Sequence, residues 1–183
     1  MPTMDVILKR IWLCPKRLLD HALGYLGAAY YALGQPQQAI ACHEQTLALV
    51  RDLGDHQEEN LTLTRLGLDY LYAGDLPNAL KYNQQALEMA RERGDRLRVY
   101  AQMIQLGRLY RMLGEVRQAV EYLEQALAMV RDAGARRWEG MALGFLGDVY
   151  RDIPTATLDL AFCLSPLSMR TIGTVMALLH PGD

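Results

Sequence analysis

Hydrophobic residues along this chain recur with the period of a helix, and the helices recur with a period of their own. From Asp20 the apolar positions Leu23, Leu26, Gly27, Tyr30 and Leu33 fall at i, i+3, i+4 and i+7 spacing, which predicts one apolar helix face. The same stretch returns every 40 residues: Leu23 to Tyr30 as Leu63 to Tyr70, Met103 to Tyr110 and Leu143 to Tyr150. Its glycine column is Gly27, Gly67, Gly107 and Gly147, and its tyrosine column is Tyr30, Tyr70, Tyr110 and Tyr150. Such a fixed step marks a stack of repeated units, in which each unit buries its apolar face on the next.

Turn chemistry divides each period into two helices. Gly34, Gly74 and Gly114 close the first helix, and Gly54, Gly94 and Gly134 close the second, because glycine suits the left-handed residue just past a helix end. Between them run second helices over Ala39 to Asp52, Ala79 to Glu92 and Ala119 to Asp132. The small residues Ala39, Ala79 and Ala119, followed seven positions on by Thr46, Ala86 and Ala126, predict a close approach between the paired helices. Asp55 and Asp95 are expected N-caps, Asp55 forming a capping box with Glu58.

The pattern L-x2-L-G-x2-Y, then G, then A-x6-A resembles the tetratricopeptide repeat. Within it, Gly27 to Gly34 to Ala39 keeps the family's offsets, so the six residues beyond the usual 34 lie between Ala39 and Gly67. This resembles the long-repeat branch found in kinesin light chains, spindle-orientation adaptors and bacterial multi-domain regulators. The resemblance implies an all-α, right-handed superhelical solenoid of antiparallel helix pairs, with three full repeats plus a half repeat. The expected boundaries are 20–59, 60–99, 100–139 and a half repeat at 140–153. Residues 1–19 precede the pattern as an N-terminal helical cap, a short helix stopped at Pro15. Residues 154–183 lose the repeat, Pro154 and Asp159 falling on the glycine and alanine columns, and form a non-repeat tail that either folds back as a cap or stays loose.

Composition adds limits. A net charge of -2 gives no basic field for nucleic acid or anionic lipid. The cluster Arg91, Arg93, Arg96 and Arg98 has no interleaved aromatic residues for stacking bases. Three widely spaced cysteines, Cys14, Cys42 and Cys163, suggest neither a disulfide framework nor a metal site. The N-terminus lacks a signal-peptide pattern, and the apolar run 171–179 is too short to span a bilayer. A cytoplasmic chain that engages neither membrane nor nucleic acid is expected.

Chemistry is sparse. There is no G-x4-G-K-[ST], G-x-G-x-x-G, H-E-x-x-H or G-x-S-x-G, and the four histidines form no i, i+4 pair. Asp52, Glu92 and Asp132 recur beside Arg51, Arg91 and Arg131, as a solvated structural pattern would. No catalytic residue, cofactor or metal is expected, and the chain reads as a non-enzymatic interaction module. Its binding surface is expected on the inner wall lined by the first helices: Tyr31, Leu68, Leu71 and Tyr72 as an apolar and aromatic end, then Arg108, Arg111, Asp148 and Arg151 as an arginine-bearing end. Such a groove suits a peptide or protein with hydrophobic anchors followed by acidic groups. The lysine and asparagine clamp of chaperone-tail-binding relatives is absent at Gly24, Ala28, Thr64, Leu68, Ile104 and Arg108, and the asparagine ladder of many long-repeat relatives is replaced by Tyr25, Arg65, Gln105 and Phe145. The alternatives are self-association through the open ends of the stack and the repeat portion of a larger signalling or transcription regulator.

Overall fold

A computed structural model describes the backbone of residues 4–152 and the side chains of residues 16–152. Seven helices occupy these residues: α1 (Met4–Ala32), α2 (Pro36–Leu53), α3 (His56–Tyr72), α4 (Leu76–Glu92), α5 (Arg96–Met112), α6 (Val116–Asp132) and α7 (Arg136–Asp152). No strand occurs among the described residues, and none of their helices is long and apolar enough to cross a membrane. The fold is an all-α helical repeat. The tail 154–183, with the two readings given for it, lies outside the described residues.

Every inter-helix turn is built on glycine with positive φ, from 63 to 80° at Gly34, Gly54, Gly74, Gly94, Gly114 and Gly134. At Gly54 the glycine N–H donates to Arg51 O and the Asp55 N–H reaches back to Val50 O at 3.0 Å, so the last carbonyls of α2 are satisfied inside the turn. The Asp55 carboxylate then accepts from the Glu58 N–H at 3.1 Å and starts α3. Asp75 and Asp95 begin α4 and α5 in the same way. Of the expected capping box only this half forms: the Asp55 N–H is already spent on Val50, and the Glu58 carboxylate pairs with Arg65 instead.

Chain packing divides the molecule into two compact units, residues 1–89 and 90–183, with the junction inside α4. In the first, Leu47 and Val50 of α2 meet Leu63 and Leu66 of α3 and Ala86 of α4. In the second, α5 packs on α6, and α7 packs on both. The small-residue columns behave as their spacing predicts, since Ala39, Thr46, Ala79, Ala86, Ala119 and Ala126 are all fully buried. Helix backbones can meet closely only where side chains are this short.

Two expectations are corrected. The N-terminal segment is not a separate helix stopped at Pro15, because α1 runs unbroken from Met4 to Ala32. A proline inside a helix removes one backbone hydrogen bond and crowds one carbonyl, which bends a helix without having to end it. The apolar face of α1 is also less buried than its repeats. Leu26 is 45% exposed, whereas Leu66, Leu106 and Leu146 in the same column are fully buried. Leu66 is covered by Leu47 and Val50 of the preceding repeat, and α1 has no preceding repeat among the described residues.

Candidate binding pocket

Three helices of the first unit converge on one pocket of about 200 Å³, lined by Ala28 and Tyr31 of α1, His43 of α2, and Arg65, Leu68 and Asp69 of α3. Ala28 and Tyr31 are three residues apart, and Arg65, Leu68 and Asp69 are spaced i, i+3 and i+4, so each helix offers a single face. Tyr72, one turn past Leu68, meets the Tyr31 ring edge to face at 4.8 Å. Its own ring is 62% exposed.

The floor is polar. His43 Nδ1 lies 2.5 Å from Asp69 Oδ2, and both side chains are almost wholly buried. An ionised carboxylate only accepts, so Nδ1 carries the proton of this bond. His43 Nε2 is left buried without a hydrogen-bond partner among the described residues. Gly27 makes room for the ring, since a β-carbon there would stand 2.6 Å from Nε2. At the rim, Arg65 pairs with Glu58 at 3.2 Å. Burial first, and the Asp69 carboxylate second, push the neighbouring Cys42 thiol above its ordinary pKa. A histidine held by a carboxylate is also two-thirds of a nucleophilic triad, but a thiol with a raised pKa is the opposite of an activated nucleophile.

Of the expected surface residues in this unit, Tyr31, Leu68 and Tyr72 are thus brought together, while Leu71 is only 8% exposed and offers a partner little. In the second unit the arginines are already engaged. Arg111 pairs with Asp152 at 2.6 Å and with Asp148 at 3.7 Å, and Asp148 also takes Arg151 at 2.9 Å. Two guanidinium groups face two carboxylates, so this cluster is charge-balanced where a free arginine fork was expected. Arg108 stacks on the Phe145 ring at 6.0 Å. The turn cluster is likewise tied down, by Arg96 to Asp132 and by Arg98 to Asp95. The period-40 carboxylates act structurally: Asp52 takes Lys16, and Asp132 takes Arg96.

Sequence reasoning missed the floor, although the columns carry its signal. Position 43 aligns with Asn83 and Leu123, and position 69 aligns with Ala29, Leu109 and Val149. Asp69 is the one charged residue in an interior apolar column, and His43 stands in a column whose members all differ. Asking what partner the buried carboxylate needs would have pointed to the histidine.

Comparison with known proteins places these helices. Models of the tetratricopeptide repeat match residues 18–92 and 102–137. Comparison with curated proteins finds no match. Among solved structures, the chain is similar to the tetratricopeptide-repeat domain of Arabidopsis FLU, at 19% identity and a TM-score of 0.61, covering 64% of this chain and 99% of that one. It is similar to a signal transduction ATPase with numerous domains from Pyrococcus horikoshii, which has a tetratricopeptide repeat sensor, at 23% identity and a TM-score of 0.61. That match covers 81% of this chain and 25% of the ATPase, so the chain spans about a quarter of that protein's length. It is also similar to a putative kinesin light chain from Podosopora anserina with nearly identical repeats, at 21% identity and a TM-score of 0.65, covering 89% and 77%. At these identities the structures speak for the fold, and together with the matched models and the helix–glycine–helix turns they lead to one conclusion: this chain carries tetratricopeptide repeats.

Proposed function

We propose that this chain is a non-enzymatic protein-interaction module of the long-repeat kind, and that its first unit holds a partner peptide on the face shared by α1 and α3. The observation that carries this reading is the pocket itself, where Tyr31 and Leu68 line an opening the fold leaves unfilled and the largely exposed Tyr72 lies against the Tyr31 ring. Exposed aromatic residues beside an apolar recess are the kind of group that anchors a partner, since they bring large contact area at low entropic cost. The partner is expected to lead with an apolar or aromatic anchor. Acidic partner residues have less to gain than the sequence suggested, because Arg65 and Arg111 already hold carboxylates of this chain.

Selection of a displayed peptide library on the full chain tests this. Peptides so selected should bind Leu68→Ala and Tyr72→Ala about tenfold or more weakly, as loss of a contact anchor does, while helix content by circular dichroism stays at the wild-type level. Equal affinity for folded variants, or failure to select any peptide, overturns the reading. A second reading, that this is the sensing portion of a larger signalling regulator, is favoured by the likeness to the ATPase with a repeat sensor. It shares the same face and sets the repeats beside other domains, as in that ATPase.

A further inference from the structure

The floor of the pocket narrows what the anchor can be, and the inference drawn from it rests on the interaction reading above. We propose that the pocket takes the side chain of a partner tyrosine, its ring between Ala28, Tyr31 and Leu68 and its hydroxyl bonded to His43 Nε2.

Size comes first. A cavity of about 150 Å³ holds a benzene molecule. At about 200 Å³ this pocket has space for a six-membered ring with a small substituent. Polarity comes second. His43 is 1% exposed, its Nδ1 is committed to Asp69, and its Nε2 has no partner among the described residues. A buried polar atom left unpaired is costly, and a ligand group that pairs it recovers that cost. Gly27 lets α1 come close to the imidazole, and His43 keeps a place in the pocket lining beside Ala28, Tyr31 and Leu68.

Charge comes third and selects among polar tips. A neutral imidazole that donates from Nδ1 presents a lone pair at Nε2, and an imidazolium presents an N–H. A phenol hydroxyl serves either form because it both donates and accepts. A carboxylate or phosphate tip would approach Asp69 while the nearest guanidinium, Arg65, is shared with Glu58. An ammonium tip would have to shed its water against walls made of Ala28, Leu68 and a tyrosine ring. The unmodified tyrosine side chain is the natural one that combines a single ring, an uncharged polar tip and both hydrogen-bonding roles.

The test uses p-cresol, the tyrosine side chain as a free molecule, with toluene as its matched apolar control, titrated into the isotope-labelled full chain and followed by NMR. p-Cresol should shift the resonances of Ala28, Tyr31 and Leu68, bind about tenfold more tightly than toluene, and move the His43 Nε2 resonance where toluene does not. His43→Leu combined with Asp69→Leu removes the floor and copies Leu123 and Leu109, which already occupy these places in a later repeat. In that variant the preference for p-cresol should vanish while toluene still binds. Equal binding of the two probes to the wild type, a preference that survives in the double variant, or binding away from these residues overturns the proposal. The nitrogen shift of the wild type decides the question if the double variant does not fold. Selected peptides that depend on Leu68 and Tyr72 but do not distinguish tyrosine from phenylalanine overturn the tyrosine assignment alone and leave the interaction reading standing.

Discussion

The glycine column shows how one absent methyl group is used differently at each place it recurs. A β-carbon at Gly27 would meet the His43 ring, at Gly67 the Asn83 amide, and at Gly107 the Leu123 side chain at 2.5 Å. Positions 43, 83 and 123 therefore fill one space against α1, α3 and α5 with three different chemistries. Gly144, also within a helix, has none of the described residues within 4 Å of its would-be β-carbon. The two kinds of glycine should respond oppositely to alanine. Gly27→Ala is expected to lose about 1–3 kcal/mol through overpacking, whereas Gly144→Ala should gain about 0.5–1 kcal/mol from helix propensity. Urea unfolding monitored by circular dichroism measures both, and a stabilised Gly27→Ala would show that the His43 ring moves freely out of the way. The Leu-Gly signature was legible in the sequence as packing. What each glycine packs against was not, because the facing residue lies sixteen positions downstream and changes type from repeat to repeat.

Between elements, the tyrosine column ties α3 and α5 to their surroundings. Tyr70 stacks on Tyr82 and donates its hydroxyl to Glu44 of the preceding repeat at 2.9 Å. Burial, with Glu44 as the next cause, raises the Tyr70 pKa well above the usual tyrosine value. Tyr110 stacks on Tyr122 in the same manner. Tyr150 and Glu124 occupy the places of Tyr70 and Glu44 one hundred per cent in register with the 80-residue step between them, and burial raises the Glu124 pKa while the Tyr150 hydroxyl partly offsets it. A carboxyl whose folded pKa lies above its unfolded value stabilises the fold below the unfolded pKa and loses that contribution as pH rises through the folded one. Glu124→Gln, which copies Gln84 of the preceding repeat, should therefore raise Tm by about 2 °C at pH 7 and lose that advantage below about pH 4. Thermal melts at the two pH values check it; a lower Tm at pH 7 would mean that the charge on Glu124 holds α6 and α7 together. Helix ends and turns were readable beforehand, since glycine and aspartate act on their immediate neighbours. The course of α1 through Pro15 was not, because local chemistry weakens a helix at proline without saying whether the rest of the helix sustains it.

For the molecule as a whole, a repeat chain spreads its stability over neighbouring contacts, so damage should stay close to where it is made. Leu66 offers a direct trial, being fully buried in the cluster of Leu47, Val50, Leu63 and Ala86 within the first unit. Leu66→Ala removes buried methyl groups and should cost about 2–5 kcal/mol. If stability is local, amide hydrogen exchange will quicken across α2 and α3 while α6 and α7 keep most of their protection. Equal acceleration everywhere would mean that the two compact units unfold as one cooperative body, and the pocket of the first unit would then depend on every helix of the chain. The distinction matters for binding. A pocket supported mainly by α1, α2 and α3 should gain protection in those helices when p-cresol is added, and the Leu66→Ala variant should lose probe affinity in proportion to the protection lost there. An intact affinity in that variant would place the support for His43, Asp69 and Leu68 in the helices that carry them, with the Leu66 cluster contributing to folding alone.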